Sequence, residues 1–233
     1  MKLLIIHLIT FCCYLVNITT ASTIEINNQH DSSSKTSVRT ALIVTIAGDH
    51  KLAEYFEWSC ITIDFSKDAY DMLVFHESNS KLMTLNCAKN VKFIDLGTDG
   101  LSKILINKLF QYESENSNIK AKLTKILSDI ILHMPRYLVE VKPMFGTLFD
   151  EYLKSYSHWS YTDPDIIWGN LTNWIDTSDL QSFDILTLTK NMDAGRLFLR
   201  GQLTIHKNIL RNNELWKDLE YFKPSNYAER LGN

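Results

Sequence analysis

Ala41-Leu42-Ile43-Val44-Thr45-Ile46-Ala47 is an apolar run interrupted only by Thr45, and Gly48 ends it. Its length and its β-branched content read as a strand buried on both faces rather than as a helix. Asp49 follows at the position of a helix cap, for a helix running to about Cys60. Tyr70–His76 carries a second strand, with Met72, Leu73, Val74 and Phe75. Val91–Leu96 carries a third, closed by Gly97. Strand, helix and strand at this spacing predict an α/β fold, with a mostly parallel central sheet flanked by helices.

Outward from these strands, helical spacing covers Leu101–Phe110 and Ile119–His133, and a helix over Met144–Tyr156 follows Pro143. Phe183–Thr189 alternates as a strand does. Leu197–Leu199 and Leu203–Ile205 read as a bent or paired strand around Gly201, and Ile209–Leu219 as a short closing helix. There is no internal repeat, no glycine-rich phosphate loop, no cysteine-histidine zinc spacing and no Gly-x-Ser-x-Gly elbow.

The 233 residues suffice for one domain with a sizeable core. The domain is expected over 41–233. A net charge of −3 supplies no basic footprint, so a nucleic-acid partner is not expected. Lys2 followed by the apolar run Leu3–Val16, with small residues at Thr19-Thr20-Ala21, reads as a secretory signal over 1–21. The run is shorter than a membrane span requires, so contact with a membrane is expected only if this segment stays as an anchor. Residues 22–40 are mostly polar and read as a flexible stem. The expected location is the lumen of the secretory pathway or the outside of the cell. Cys60 and Cys87 stay in the mature chain, and the spacing fits either a disulfide or two buried free thiols. Asn170-Leu171-Thr172 is a glycosylation sequon.

Asp163-Pro164-Asp165 lies between two apolar flanks, His158–Tyr161 and Ile166–Trp168. Carboxylates beside a core need partners. In an extended chain, residues two apart point to the same side, so Asp163 and Asp165 converge. Pro164 stiffens the pair and cannot donate to a ladder, which sets it at a strand end or in the turn beyond. Such a pair suits a hard divalent cation, Mg²⁺ or Mn²⁺. The plain alternative is a turn opener and a helix cap. His206 is a weaker ligand candidate, expected just after a strand. Trp159 reads as core, and Trp168 and Trp174 as core or as sugar-stacking rings.

Lys142-Pro143-Met144-Phe145-Gly146 is followed by Tyr156-Ser157-His158-Trp159, then Asp163-Pro164-Asp165 and Gly169. With Gly201-Gln202-Leu203-Thr204 and Asn208, this order resembles a little-characterised family of glycosyltransferases with a GT-A-like fold. The likeness runs from about Ala41 to Asn208. Gln202 departs from the histidine usual in that family, Asn170 from an acidic residue that often follows the glycine, and the chain ends at Asn233 sooner than the likeness leads one to expect.

The resemblance implies a Rossmann-like nucleotide-binding half and transfer of a sugar from a nucleotide-diphosphate donor to an acceptor hydroxyl on a glycan, protein or lipid. It implies Mn²⁺ or Mg²⁺ held by Asp165 directly and by Asp163 directly or through water. Ala47 and Gly48 are expected beneath the nucleotide, because open α/β sheets bind ligands at the carboxyl ends of strands. Glu77 is expected at the base or ribose, Asp163 at the ribose or sugar, and Lys142 at a phosphate. Gly146 and Gly201 read as serving backbone geometry. The competing expectation is an inactive binding or scaffold protein on the same fold. A hydrolase ranks last, since no spacing singles out its carboxylates or triad.

Overall fold

The computed structural model describes residues 3–7, 22–24, 38–47, 55–111, 117–189, 199 and 201–232. Two short strands, β1 (Leu3–His7) and β2 (Ser22–Ile24), fall in the stretches read as signal and stem. Most of the remainder of those stretches lies outside the described residues, as does most of the strand expected at Leu197–Leu199.

Six further strands form the body of the sheet. They are β3 (Thr40–Ile46), β4 (Tyr70–His76), β5 (Val91–Asp95), β6 (His158–Thr162), β7 (Ile185–Thr189) and β8 (Leu203–Lys207). Their order is β7-β8-β6-β3-β4-β5, with β1 and then β2 added beside β7. β3 runs parallel to β4 and β6, and β4 parallel to β5. Within these six, only β8 runs against its neighbours, β6 and β7, and at the far edge β2 runs against β1. The expected α/β fold with a mostly parallel sheet is what the chain adopts.

The alternation of β3 divides the core into two layers. Ala41 and Ile43 join a cluster with α2 (Gly100–Leu109) and α3 (Ser117–His133) through Leu105, Ile106, Leu127 and Ile131. Leu42, Val44 and Ile46 join a second cluster with α1 (Phe56–Thr62) and with Trp168, Leu171 and Leu180. A strand buried on both faces therefore lacks the polar alternation of a half-exposed one.

Two expected helices are broken by packing. Met144–Tyr156 divides at Phe149 into α4 (Phe145–Leu148) and α5 (Asp150–Leu153). The Phe149 ring is stacked on Phe75 with centroids 3.8 Å apart, and at φ −110°, ψ 21° its backbone leaves the helix to reach it. After α6 (Thr177–Ser182), the closing helix shortens to α7 (Leu210–Asn213). A 3-10 turn at Leu215–Asp218 then carries the Trp216 indole N–H to Thr147 Oγ1, at 2.9 Å. Beyond it, α8 (Pro224–Gly232) opens on a proline and buries Tyr227 and Leu231, an element the sequence reading passed over.

A charged cluster clamps the amino ends of β3, β4 and β5. Asp71 is nearly buried and accepts from Arg39 Nε at 3.0 Å and from Arg39 Nη2. It also accepts from Tyr156 Oη at 2.7 Å and from Lys92 Nζ at 3.2 Å. Burial pushes its carboxyl upward, and the hydrogen bonds from Arg39, Tyr156 and Lys92 outweigh this and hold it below the usual carboxylate range. Arg39 belongs to this clamp and Val38 packs on the core, both within the stretch read as stem. A depressed folded pKa contributes stability that is present above the unfolded carboxylate value and is lost as pH falls through the folded one. Asp71→Ala is expected to lower stability by about 2–3 kcal/mol at pH 7, by leaving Arg39 and Lys92 without their anion. The deficit relative to wild type should shrink below about pH 4, as read by urea unfolding against pH.

Candidate functional site at the carboxyl ends of β3 and β6

The strand order reverses between β3 and β6. From β3 the chain steps outward through β4 and β5, then returns to β6 on the other side. In open α/β sheets, the crevice at the carboxyl ends of two such strands is the usual place for a ligand. Ala47, buried, directly follows β3; Gly48 lies outside the described residues. Asp163 directly follows β6, where the sequence placed it, because Pro164 cannot continue a ladder.

Lys142 opens a short 3-10 turn before α4 and is buried. Its ammonium makes an ion pair with the Asp163 carboxylate and donates to the Gly201 carbonyl at 2.8 Å. It sits 5.8 Å from the centroid of the Tyr161 ring. A buried lysine needs such partners, and carboxylate, carbonyl and ring together supply them. The structure thus brings Lys142, Asp163 and Gly201 together. Asp165 is exposed and, among the described residues, makes no ion pair. No group of three or more His, Cys, Asp or Glu side chains is assembled to hold a metal among the described residues. The donor set here is one free carboxylate, with a second held by lysine. It fits a cation of the magnesium type, which keeps water and takes most remaining oxygens from a bound phosphate.

Glu77 follows β4, and its carboxylate accepts from Leu101 N at 2.9 Å in the first turn of α2. That role is helix capping. Asn170 caps the turn Leu171–Asn173, accepting from Thr172 N at 3.1 Å and Thr172 Oγ1 at 2.6 Å. Trp168 is core, with its indole N–H on Ser59 Oγ at 3.1 Å, whereas Trp174 is exposed. His206 does not follow a strand as expected but lies within β8, paired with Trp159. It is buried with neither ring nitrogen hydrogen-bonded, and burial pushes its pKa down to about 3. A pocket of about 360 Å³ opens beside α2 and α5, lined in part by Ile104, Lys108, Leu148 and Tyr152, and holds none of the crevice residues.

Residues 42–230 match DUF6625, a family of unknown function. The chain belongs to this family. No curated protein matches it. The matched region takes in every residue of the crevice and the pattern from Lys142 to Asn208.

In this DUF6625 chain much of that pattern is architecture. A Cβ on Gly146 would lie 2.6 Å from the indole of Trp159 and 2.7 Å from Asn213 Oδ1. The Trp159 indole N–H donates to Asn213 Oδ1 at 2.6 Å. Asn213 Nδ2 donates to Asn208 Oδ1 at 2.8 Å, and Asn208 Nδ2 to the carbonyls of Leu153 and Tyr156, both at 2.9 Å. Asn213 and Thr147, which accepts from Trp216, were missed by sequence reasoning. The only signal for Asn213 was a polar Asn-Asn pair inside an apolar helical pattern.

Gly146→Ala is expected to cost about 1–3 kcal/mol through overpacking against the indole. Gly201→Ala, whose Cβ would meet, among the described residues, only Lys142 Nζ at 3.6 Å, should stay within about 0.5 kcal/mol. Equal losses in chemical denaturation would contradict this assignment. The folded pKa of His206 lies below its unfolded value, so the unfolded chain alone takes up this proton as pH falls through about 6.5. Stability should therefore decline by up to about 1.4 kcal/mol per pH unit between about 6.5 and 4 on account of this residue. His206→Phe keeps a flat ring on Trp159 and should flatten that slope in thermal melts.

Proposed function

We propose that this chain is a metal-dependent glycosyltransferase of the secretory pathway, binding a nucleotide-diphosphate sugar in the crevice between β3 and β6. The observation that carries the reading is the Lys142–Asp163 pair at the switch in strand order, with the exposed Asp165 two residues beyond. The leaving group in such a transfer is a nucleoside diphosphate, whose charge must be offset as it develops. Mn²⁺ or Mg²⁺, when bound, supplies that offset. Asp165 is the carboxylate available to hold the cation. Asp163, oriented by Lys142 and stiffened by Pro164, is available to water on the cation or to donor hydroxyls. Lys142 adds a fixed positive charge at the floor of the crevice. Ala47 lies at the end of β3 in the same crevice. The acceptor is a hydroxyl on a glycan, protein or lipid.

The same ion pair also favours a second reading. Lys142 and Asp163 already satisfy one another, as they would in a binding or scaffold protein without turnover.

Calorimetric titration with UDP and GDP, each with and without Mn²⁺, tests both. Binding is expected only with Mn²⁺, and Asp165→Asn should weaken it at least tenfold with an unchanged circular dichroism spectrum. Nucleotide binding with no consumption of a nucleotide-sugar donor and no release of nucleoside diphosphate from it would select the scaffold. No binding of either nucleotide would sink the glycosyltransferase reading.

A further inference from the structure

Cys60 and Cys87 take no part in the crevice. Cys60 is buried in α1, in the cluster with Phe56, Ile63 and Trp168. Cys87 lies before β5, half-buried, and packs on that same cluster. The Ala88 N–H donates to the Cys60 carbonyl at 3.0 Å, which ties the two backbones together. Each thiol is the largest influence on the other's titration, so the two side chains face one another. That backbone bond, one residue from Cys87, holds the two cysteines at neighbouring backbone positions, as a disulfide requires. Both residues are free thiols in this structure.

We propose that Cys60 and Cys87 are a reactive dithiol that closes to a disulfide, with Cys87 the entering thiol and Cys60 the resolving one. Exposure sets the order. Cys87 is partly exposed, while Cys60 is fully buried on the inner face of α1. The local electrostatics agree: the neighbouring Cys60 lowers the Cys87 thiol, whereas Cys87 and burial raise Cys60. The oxidant is a small disulfide such as oxidised glutathione. The Cys87 thiolate attacks one of its sulfurs, forming a mixed disulfide and releasing one glutathione thiolate. Cys60 then loses its proton to that thiolate and attacks the Cys87 sulfur. The second glutathione leaves as its thiolate. Two protein thiols are oxidised, and one glutathione disulfide is reduced to two thiols.

The closed disulfide would staple α1 to the approach of β5. α1 holds the segment that follows Asp165, since Trp168 N donates to Thr62 Oγ1 at 2.9 Å and the Trp168 indole to Ser59 Oγ at 3.1 Å. The staple therefore bears on the wall of the crevice.

The test is non-reducing peptide mapping of the full chain after oxidised glutathione or dithiothreitol, with alkylation of remaining thiols. Oxidation should yield a linked pair of peptides containing Cys60 and Cys87, separate from those containing Cys12 and Cys13. Cys60→Ser should accumulate glutathione on Cys87, and Cys87→Ser should carry none on Cys60. The thermal midpoint of the oxidised wild type should lie above that of the reduced one. Retention of glutathione on Cys87 in the wild type, or alkylation of both residues after oxidation, would overturn the proposal. The wild-type map decides the matter even if either variant fails to fold.

Discussion

The indole of Trp159 is wholly buried, and three elements close around it. Gly146 of α4 leaves room for its edge, and His206 of β8 stacks on its face with centroids 4.3 Å apart and planes 6° from parallel. Asn213 of α7 takes its N–H and passes the constraint through Asn208 to the carbonyls that end α5. Emptying such a site costs about 3–5 kcal/mol in a typical core. Trp159 stands four residues before Asp163, which directly follows the same strand. Whatever fixes the indole also fixes where β6 delivers its carboxylates.

The two ends of the sheet treat charge differently. At the amino end, Asp71 is surrounded by Arg39, Lys92 and Tyr156, and every partner comes from a different segment. Buried charge is tolerable only with such pairing, and the cluster joins β3, β4, β5 and the approach to β6. At the carboxyl end, Lys142 and Asp163 are paired, but Asp165 stays exposed and makes no ion pair among the described residues. A site at which charge is held in place and not fully neutralised can receive a charged ligand. A fully neutralised one serves mainly to hold strands together.

The positions that resemble a glycosyltransferase pattern divide on the same principle. Gly146, Trp159 and Asn208 are explained by packing and by carbonyl capping, and Tyr156 by the Asp71 cluster. Lys142, Asp163 and Gly201 meet at the crevice, and Gln202 beside them is exposed. A pattern in sequence mixes residues that place a site with residues that form it. Side-chain partners separate the two.

The sequence by itself determined the α/β class, the three leading strands and the position of Asp163 at a strand end. Each follows from local physics. Continuous apolar runs need burial on both faces, and a proline ends a ladder. The tertiary structure alone decided that Lys142 reaches Asp163 across 21 positions, that Glu77 serves α2, and that His206 stacks on Trp159 from the strand beside β6. It also decided the break at Phe149, where a ring stack on Phe75 outweighs helical continuity, and the placement of α8 against the core. These outcomes rest on contacts between residues far apart in the chain. Local periodicity carries no record of such contacts, because each depends on where the other partner's element has packed.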